Sequence, residues 1–193
     1  MISAIILAAG ESRRMGQPKM LLPWGQQTVI EHVVAVFLSA GIKDIIVVTG
    51  GGREQVEKAI DRYPVRKLYN RNYATGEMLS SLQCGLMEMP KRAQATLIGL
   101  GDQPQVQESS VRLICEVYRE SNSRLVVPSF GRKRGHPWLV ARSLWKEILV
   151  LKPPETPRDF LNKHADEIRY LDSDTPTVLA DLDTPEDYQK FHP

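Results

Sequence analysis

Residues 2–19 read ISAIILAAGESRRMGQPK, an apolar run that passes directly into a loop of small and basic residues. The run predicts a buried first strand. The small residues 8–10 allow a ligand to approach the backbone, where amide N–H groups can donate hydrogen bonds to phosphate oxygens. Arg13, Arg14 and Lys19 add three cations to the same loop. A strand followed by a small, cationic turn predicts a binding site for a nucleoside triphosphate.

This loop differs from the common phosphate-binding sequences. A Walker loop has four residues between its glycines and a lysine directly after the second glycine. Here five residues separate Gly10 from Gly16, and Lys19 follows three positions later. The G-x-G-x-x-G dinucleotide fingerprint is also absent. The plain alternative is a strand-to-helix connection with a solvated basic face, but the position after the first strand and the distant acidic residues favour a nucleotide site.

The composition is that of an ordinary globular protein. The chain has 193 residues, 42% of them hydrophobic and 25% charged, with a net charge of +2, so we expect a single domain. So small a net charge gives no indication of nucleic acid or of an anionic membrane as a partner. Cys84 and Cys115 have no metal-ligand spacing, and no segment approaches the roughly 20 apolar residues of a membrane span. With no recognisable signal peptide, we expect a cytoplasmic protein.

Strand-like and helix-like segments alternate along the first two thirds of the chain. Apolar and β-branched runs predict strands at 2–6, 45–48, 65–68, 96–100 and 125–127. Helical spacing of apolar residues predicts helices at 29–38, 54–60, 78–89 and 110–119. Such alternation, with fully apolar strands, predicts an α/β fold whose mostly parallel sheet is covered on both faces.

The last third of the chain is less regular. Residues 130–140 are typical of a ribbon with a basic turn at 132–135, and 168–171 and 178–182 predict two short strands. A closing helix is expected from Pro185, with Thr184 as its cap.

Two acidic positions are candidates for the ligand-binding edge of the sheet. Asp102 follows the predicted strand 96–100, and Asp183 ends a segment that also contains Asp181. Ligands of open α/β sheets bind beyond the carboxyl ends of the strands. Two carboxylates there would suit Mg²⁺ that is shared with a triphosphate. Each also has a plainer explanation, turn formation or helix capping, and Asp181 remains an alternative to Asp183.

The motifs resemble those of a known family. Leu-Ala-Ala-Gly-x-Ser-x-Arg-Met-Gly-x-x-Lys, at residues 7–19, is similar to the signature loop of the MobA-like nucleotidyltransferases, and 101–104 and 183–187 resemble their acidic motifs. Within this family, the chain is most similar to molybdenum cofactor cytidylyltransferases. The similarity lies in the double alanine at 8–9, in Gly76 with residues 80–82, and in residues 134–137. The resemblance implies a three-layer α/β/α, Rossmann-like nucleotidyltransferase fold with a mostly parallel sheet. It also implies one domain, 1–193, with a nucleotide-binding part at about 1–105 and an acceptor-binding part at about 106–193.

The resemblance further implies roles around the nucleotide. Four consecutive residues would hold the base and ribose through their backbone: Leu7, Ala8, Ala9 and Gly10. Ala9 would favour cytosine where guanylyl relatives carry glycine. Gly76 and Ser81 would also bind the nucleotide, with Ser81 at the base. Arg13 and Lys19 would clamp the phosphates and are the implied catalytic residues.

For the metal and the acceptor, the resemblance implies Asp102 as the main Mg²⁺ ligand and nucleotide contact, with Asp183 as the second ligand. His136 would either meet a pterin substrate or be a hydrogen-bonded structural histidine. Guanylyl relatives carry an acidic residue in the region of Asn70, so the role of Asn70 stays open.

The implied reaction is attack by the terminal phosphate of molybdopterin on the α-phosphorus of CTP, with release of pyrophosphate. This nucleophile is already anionic, so the absence of Ser-His-Asp and Cys-His constellations is consistent with it. Two alternatives remain. The acceptor could be another phosphate, from a sugar or from methylerythritol, or the chain could be a non-catalytic chaperone that carries finished cofactor to a molybdenum hydroxylase.

Overall fold

The computed structural model describes residues 1–193. Ten strands, β1 to β10 in chain order, occupy Ile2–Ala8, Pro23–Trp24, Gln27–Thr28, Ile45–Thr49, Arg66–Tyr69, Ala95–Leu100, Leu125–Phe130, Lys133–Arg134, Trp138–Ala141 and Ile168–Asp172. Seven α-helices, α1 to α7, occupy Val29–Ser39, Arg53–Ala59, Glu77–Met87, Glu108–Glu120, Trp145–Val150, Pro157–Lys163 and Pro185–Phe191. None of these helices is both long and apolar enough to cross a membrane.

Eight of the strands form one central sheet. Its order is β10-β7-β9-β6-β1-β4-β5, and β8 pairs with β7. β1 runs parallel to β4 and β6, whereas β9 is antiparallel to both of its neighbours, β6 and β7. The mostly parallel sheet predicted from the sequence is therefore confirmed. The parallel strands bring the loops after β1, β4 and β6 to one edge, where ligands of such sheets bind.

Helices cover both faces of this sheet. Along β1, Ile6 faces a core that includes Phe37 of α1, and Ile5 faces a second core that includes Leu82 of α3. The first core also contains apolar residues of α2 and α4, and the second contains those of α5 and α6. Strands buried on both faces carry continuous apolar runs rather than alternating ones. The three-layer α/β/α architecture is confirmed.

Two expectations for the last third are wrong. Residues 178–182 form no strand. A short 3₁₀ helix occupies Pro176–Leu179 instead, and the carbonyl of Val178 accepts a hydrogen bond from the His136 N–H at 2.9 Å. The segment 130–140 is not one ribbon either. β8 pairs with β7, while β9 inserts between β6 and β7. Both errors involve contacts between distant segments, because β9 pairs with β6 and Val178 contacts His136.

Candidate active site

A cleft of ≈ 330 Å³ lies at the carboxyl edge of the central strands. It is formed by the ends of β1 and β6, the start of α3 and the segment before α7. Its lining consists of Leu7, Ala9, Gly10, Lys19, Met20, Tyr73, Glu77, Met78, Ser81, Leu100, Asp102, Asp181 and Asp183. A larger depression of ≈ 560 Å³ beside Trp24 and His32 contains none of the predicted site residues. The smaller cleft is therefore the candidate active site.

Lys19 joins the two acidic motifs at the centre of this cleft. Its ammonium pairs with the Asp102 carboxylate and lies 3.2 Å from Asp183 Oδ1. The Lys19 side chain is only 11% exposed, so these ion pairs are well shielded from solvent. The sequence prediction that the N-terminal loop and both acids converge on one place is consistent with this geometry.

The loop that carries Lys19 is held by local contacts. The backbone N–H of Lys19 donates to Ser12 Oγ at 3.0 Å, which closes the basic loop on itself. Gly16 adopts φ +67°, a left-handed conformation that favours glycine. Arg14 reaches across to Asp183 at 2.9 Å. The acidic segments are joined as well, because the Leu182 N–H donates to the Asp102 carbonyl at 3.0 Å.

The charges in the cleft perturb one another. Burial alone would lower the pKa of Lys19, but the Asp102 carboxylate and then Asp183 hold that pKa above its ordinary value. Desolvation in the cleft and then repulsion from Asp102 raise the pKa of Asp181. Gln103 Nε2 donates to Asp181 Oδ1. Lys19 is thus a permanently charged ammonium among three acids, an arrangement that attracts a further cation or a metal-bound polyphosphate.

The donor set suits a divalent cation shared with a substrate. The Asp102 and Asp183 carboxylates contact the same ammonium, so the space between them already accommodates positive charge. No group of three or more His, Cys, Asp or Glu side chains converges as a metal cage. Mg²⁺ is typically bound by one or two carboxylates together with phosphate oxygens and water. The residues present therefore fit Mg²⁺ whose remaining ligands come from a triphosphate.

The cleft is also lined by apolar and small residues. Leu7 and Ala9 line it together with Ser81, a residue that is 3% exposed. The hydroxyl of Ser81 accepts a hydrogen bond from the buried Asn70 amide at 3.0 Å. Gly76 is packed so closely on Ser80 that an added Cβ would lie 2.3 Å from the Ser80 Cβ. These contacts hold the start of α3 against the segment that follows β5.

Four of the predicted site residues do not line the cleft. Ala8 is fully buried in the core on the other face of the sheet, and Gly76 supports α3 from outside the cleft. Arg13 pairs with Glu11 at 2.6 Å, and its side chain is 77% exposed. His136 is only partly exposed, its ring has no hydrogen-bond partner in the protein, and burial lowers its pKa to about 4. Roles for Arg13 and His136 in binding stay predictions.

Sequence reasoning missed five lining residues, Met20, Tyr73, Glu77, Met78 and Leu100. Tyr73, Glu77 and Met78 lie just before and at the start of α3, a segment that follows the parallel strand β5. Any loop that follows a parallel strand faces the ligand edge, so the position after β5 was the available signal. Gly50, in the loop after β4, is a second such position. An added Cβ there would lie 2.5 Å from the Tyr73 Cβ.

Comparison with known proteins agrees with this geometry. Residues 4–168 match the MobA-like NTP transferase domain. A molybdenum cofactor cytidylyltransferase of Escherichia coli (strain K12) is 26% identical over 190 residues, which cover 97% of this chain and 93% of that protein. A nicotine blue oxidoreductase of Paenarthrobacter nicotinovorans is also 26% identical, over 96% of this chain and 93% of its own.

Solved structures share the whole architecture. A nucleotidyl transferase from Methanothermobacter thermautotroptrophicus matches with a TM-score of 0.86 at 27% identity, over 100% of this chain and 96% of that one. A manganese complex of a protein from Mycobacterium tuberculosis H37Rv matches with a TM-score of 0.82 at 27% identity, over 99% and 97% of the two chains. Because the family match covers residues 4–168, well over half of the sequence, this chain belongs to the family of MobA-like NTP transferase domains and is a nucleotidyltransferase.

Proposed function

We propose that this enzyme transfers a cytidylyl group from CTP to the terminal phosphate of molybdopterin, with Mg²⁺ as its cofactor. The observation that carries the proposal is the Lys19 ammonium between Asp102 and Asp183, in a cleft that Leu7 and Ala9 also line. In this proposal, the triphosphate and the base would bind next to each other in one cleft. The similar E. coli protein named above supports the choice of CTP and of a molybdenum cofactor acceptor.

In the proposed reaction, an oxygen of the molybdopterin phosphate forms a bond to the α-phosphorus of CTP. The bond from that phosphorus to the oxygen bridging to the β-phosphate breaks, and pyrophosphate leaves. The attacking oxygen is already anionic, so no general base is needed. What remains for the protein is positioning and the neutralisation of charge.

Lys19, Asp102 and Asp183 of the cleft would carry out this task together with Arg13, which lies outside the cleft lining. Lys19 donates hydrogen bonds and positive charge to the phosphates, and Arg13 would add a second cation by turning from Glu11 towards the ligand. Asp102 and Asp183 would hold Mg²⁺, which supplies charge neutralisation at the phosphate oxygens. Asp183 is the better candidate for the second ligand, since it contacts the Lys19 ammonium, whereas Asp181 is engaged by Gln103.

The base would lie against the small residues of the first loop. Leu7, Ala9 and Gly10 line the cleft, and their backbone would contact the base and ribose. Ser81 faces them from α3. On the acceptor side, we propose that His136 contacts the pterin and that the finished dinucleotide passes to a molybdenum hydroxylase in the cytoplasm.

The test is pyrophosphate release measured with CTP or GTP, with and without molybdopterin. We expect release only with CTP and molybdopterin together, lost on chelation by EDTA and restored by Mg²⁺. Methylerythritol phosphate and a sugar phosphate are the control acceptors. Release with one of these and not with molybdopterin would replace the proposed acceptor. An absence of release with every acceptor, despite tight binding of the cytidylylated pterin, would indicate a chaperone instead.

A further inference from the structure

Asn70, the residue that follows β5, is only 4% exposed, and its side chain makes three hydrogen bonds within the protein. Its Nδ2 donates to Ser81 Oγ at 3.0 Å and to Ser80 Oγ at 2.8 Å. Its Oδ1 accepts from the backbone N–H of Asn72 at 2.9 Å. Because a backbone N–H can only donate, the Asn72 contact determines which amide atom is the oxygen. The Asn70 NH₂ group must therefore face the two serines.

The two serines differ in what their own protons do. The Ser80 hydroxyl donates to the Glu77 carbonyl at 3.2 Å, so its proton is used within the protein. The Ser81 hydroxyl accepts from Asn70 and has no acceptor for its own proton in the structure. Ser81 lines the candidate base pocket together with Leu7. A shielded hydroxyl in this position has a donor left for a ligand.

We infer that Asn70 is a positioning residue that makes Ser81 a hydrogen-bond donor towards the nucleotide base. The inference rests on the proposed function and extends it to base selection. Cytosine presents two acceptors on its pairing edge, N3 and O2. Guanine presents two donors there, N1–H and N2–H, and only the acceptor O6. Asn70 thus acts through Ser81 to favour cytosine over guanine, and it does not touch the base itself.

The change Asn70→Asp tests the inference at constant side-chain shape. An ionised carboxylate only accepts hydrogen bonds, so the Ser81 proton would turn towards position 70 and be lost to the ligand. We expect CTP to bind about tenfold more weakly to Asn70→Asp and to Ser81→Ala, the usual effect of one lost hydrogen bond. Ser80→Ala is the matched control, because it removes an equivalent contact of Asn70 outside the cleft. It should bind CTP like the wild type.

Isothermal titration of the full chain with CTP and with GTP, in the presence of Mg²⁺, gives the dissociation constants. In the Ser81→Ala background, Asn70→Asp should cause no further loss, because both changes remove the same donor. Protonation of the introduced carboxyl restores a donor at position 70. The loss of CTP affinity in Asn70→Asp, relative to the wild type, should therefore become smaller as the pH is lowered. The loss of CTP affinity in Ser81→Ala should stay constant. Thermal unfolding confirms that each variant is folded.

The outcomes separate the inference from the proposed function. The role of Asn70 is overturned if Asn70→Asp keeps the wild-type preference for CTP over GTP. It is also overturned if Asn70→Asp weakens CTP binding equally in the wild-type and Ser81→Ala backgrounds. Either result leaves cytidylyl transfer standing. A wild-type protein that binds GTP as tightly as CTP overturns both. A defect in Asn70→Asp that does not change with pH indicates a purely structural role, and it too overturns the inference.

Discussion

At the scale of single residues, Lys19 shows how burial and charge combine in this cleft. A nearly buried ammonium is unfavourable unless it is paired. Here two carboxylates from distant parts of the chain pair with it, and together they raise its pKa. In the proposed function, the same ammonium would also contact the phosphates of the nucleotide.

Replacing Lys19 by alanine is expected to lower kcat about 10²- to 10³-fold, the usual effect of removing one donor that stabilises a transition state. Steady-state pyrophosphate release provides the measurement. Lys163→Ala is the control, since Lys163 also pairs with a carboxylate, Glu147, at 2.7 Å but lies on α6 outside the cleft. Turnover like that of the wild type in Lys19→Ala would remove this residue from the mechanism.

His136 gives a prediction on pH and stability. Burial holds its pKa at about 4, below the ordinary 6.5, so the unfolded chain takes up the proton first as the pH falls. The stability contribution of neutral His136 is complete above pH 6.5, declines below it and is lost once the pH passes 4. The side chain keeps some solvent contact. Between pH 6.5 and pH 4, the free energy of unfolding of the wild type should therefore fall by about 2 kcal/mol more than that of His136→Gln.

Urea denaturation at several pH values between 7 and 4 measures this difference. His192→Gln, a change at an exposed histidine near the C-terminus, is the control and should follow the wild-type curve. Parallel curves for His136→Gln and the wild type would show that His136 protonates equally easily in the folded and unfolded protein.

At the scale of elements, a helix cap positions one of the acids. Thr184 Oγ1 accepts from the Asp187 N–H at 3.2 Å, and Asp187 Oδ2 accepts from the N–H groups of Thr184 and Asp183. The start of α7 thus holds the backbone of Asp183. α6 begins with the same arrangement at Thr156 and Asp159, far from the cleft.

These two caps form a matched pair of tests. Thr184→Ala and Thr156→Ala should each lower the free energy of unfolding by about 1 kcal/mol, because each leaves helix N–H groups without a partner. Only Thr184→Ala should also raise, several-fold, the Mg²⁺ concentration that gives half-maximal activity. Equal Mg²⁺ requirements in the two variants would mean that the cap does not position Asp183 for metal binding.

The elements themselves show what sequence patterns can predict. The helix predicted at 29–38 is α1, Val29–Ser39, and the closing helix begins at Pro185 with Thr184 as its cap, as expected. Apolar spacing and capping residues act locally, so they can be identified from the sequence. The segment 178–182 has a β-branched residue but lacks a neighbouring strand, because Val178 packs on Gly135 instead. Local pattern cannot supply that information.

At the scale of the whole molecule, the expected nucleotide-binding and acceptor-binding parts share one sheet. β6 is the last strand of the first part. It lies between β1, which also belongs to the first part, and β9, which belongs to the second part. A small core joins the two parts again, since Trp24 packs in the same cluster as Leu182. Neither part can bury its apolar surface without the other.

We therefore expect residues 1–193 to unfold in a single transition. Two variants test this, one that keeps Trp24 as its sole tryptophan and one that keeps Trp138. In each variant, the urea midpoint measured by tryptophan fluorescence should equal the urea midpoint measured by circular dichroism. Comparison within one variant removes any difference in stability between the two variants. A fluorescence midpoint that departs from the circular dichroism midpoint in either variant would divide the chain into two domains near residue 105.

The sequence by itself determined the α/β class, the positions of most helices and strands, and the residue types in the first loop and in the two acidic motifs. These follow from apolar periodicity and turn chemistry, which operate over a few residues. Three features follow only from the tertiary structure: β9 runs antiparallel inside the sheet, Lys19 meets Asp183 across 164 positions, and the Asn70 amide donates a hydrogen bond to Ser81. Each of these features depends on which distant segments pack together. The free energy that favours this packing comes from contacts spread over the whole core and not from any one short segment.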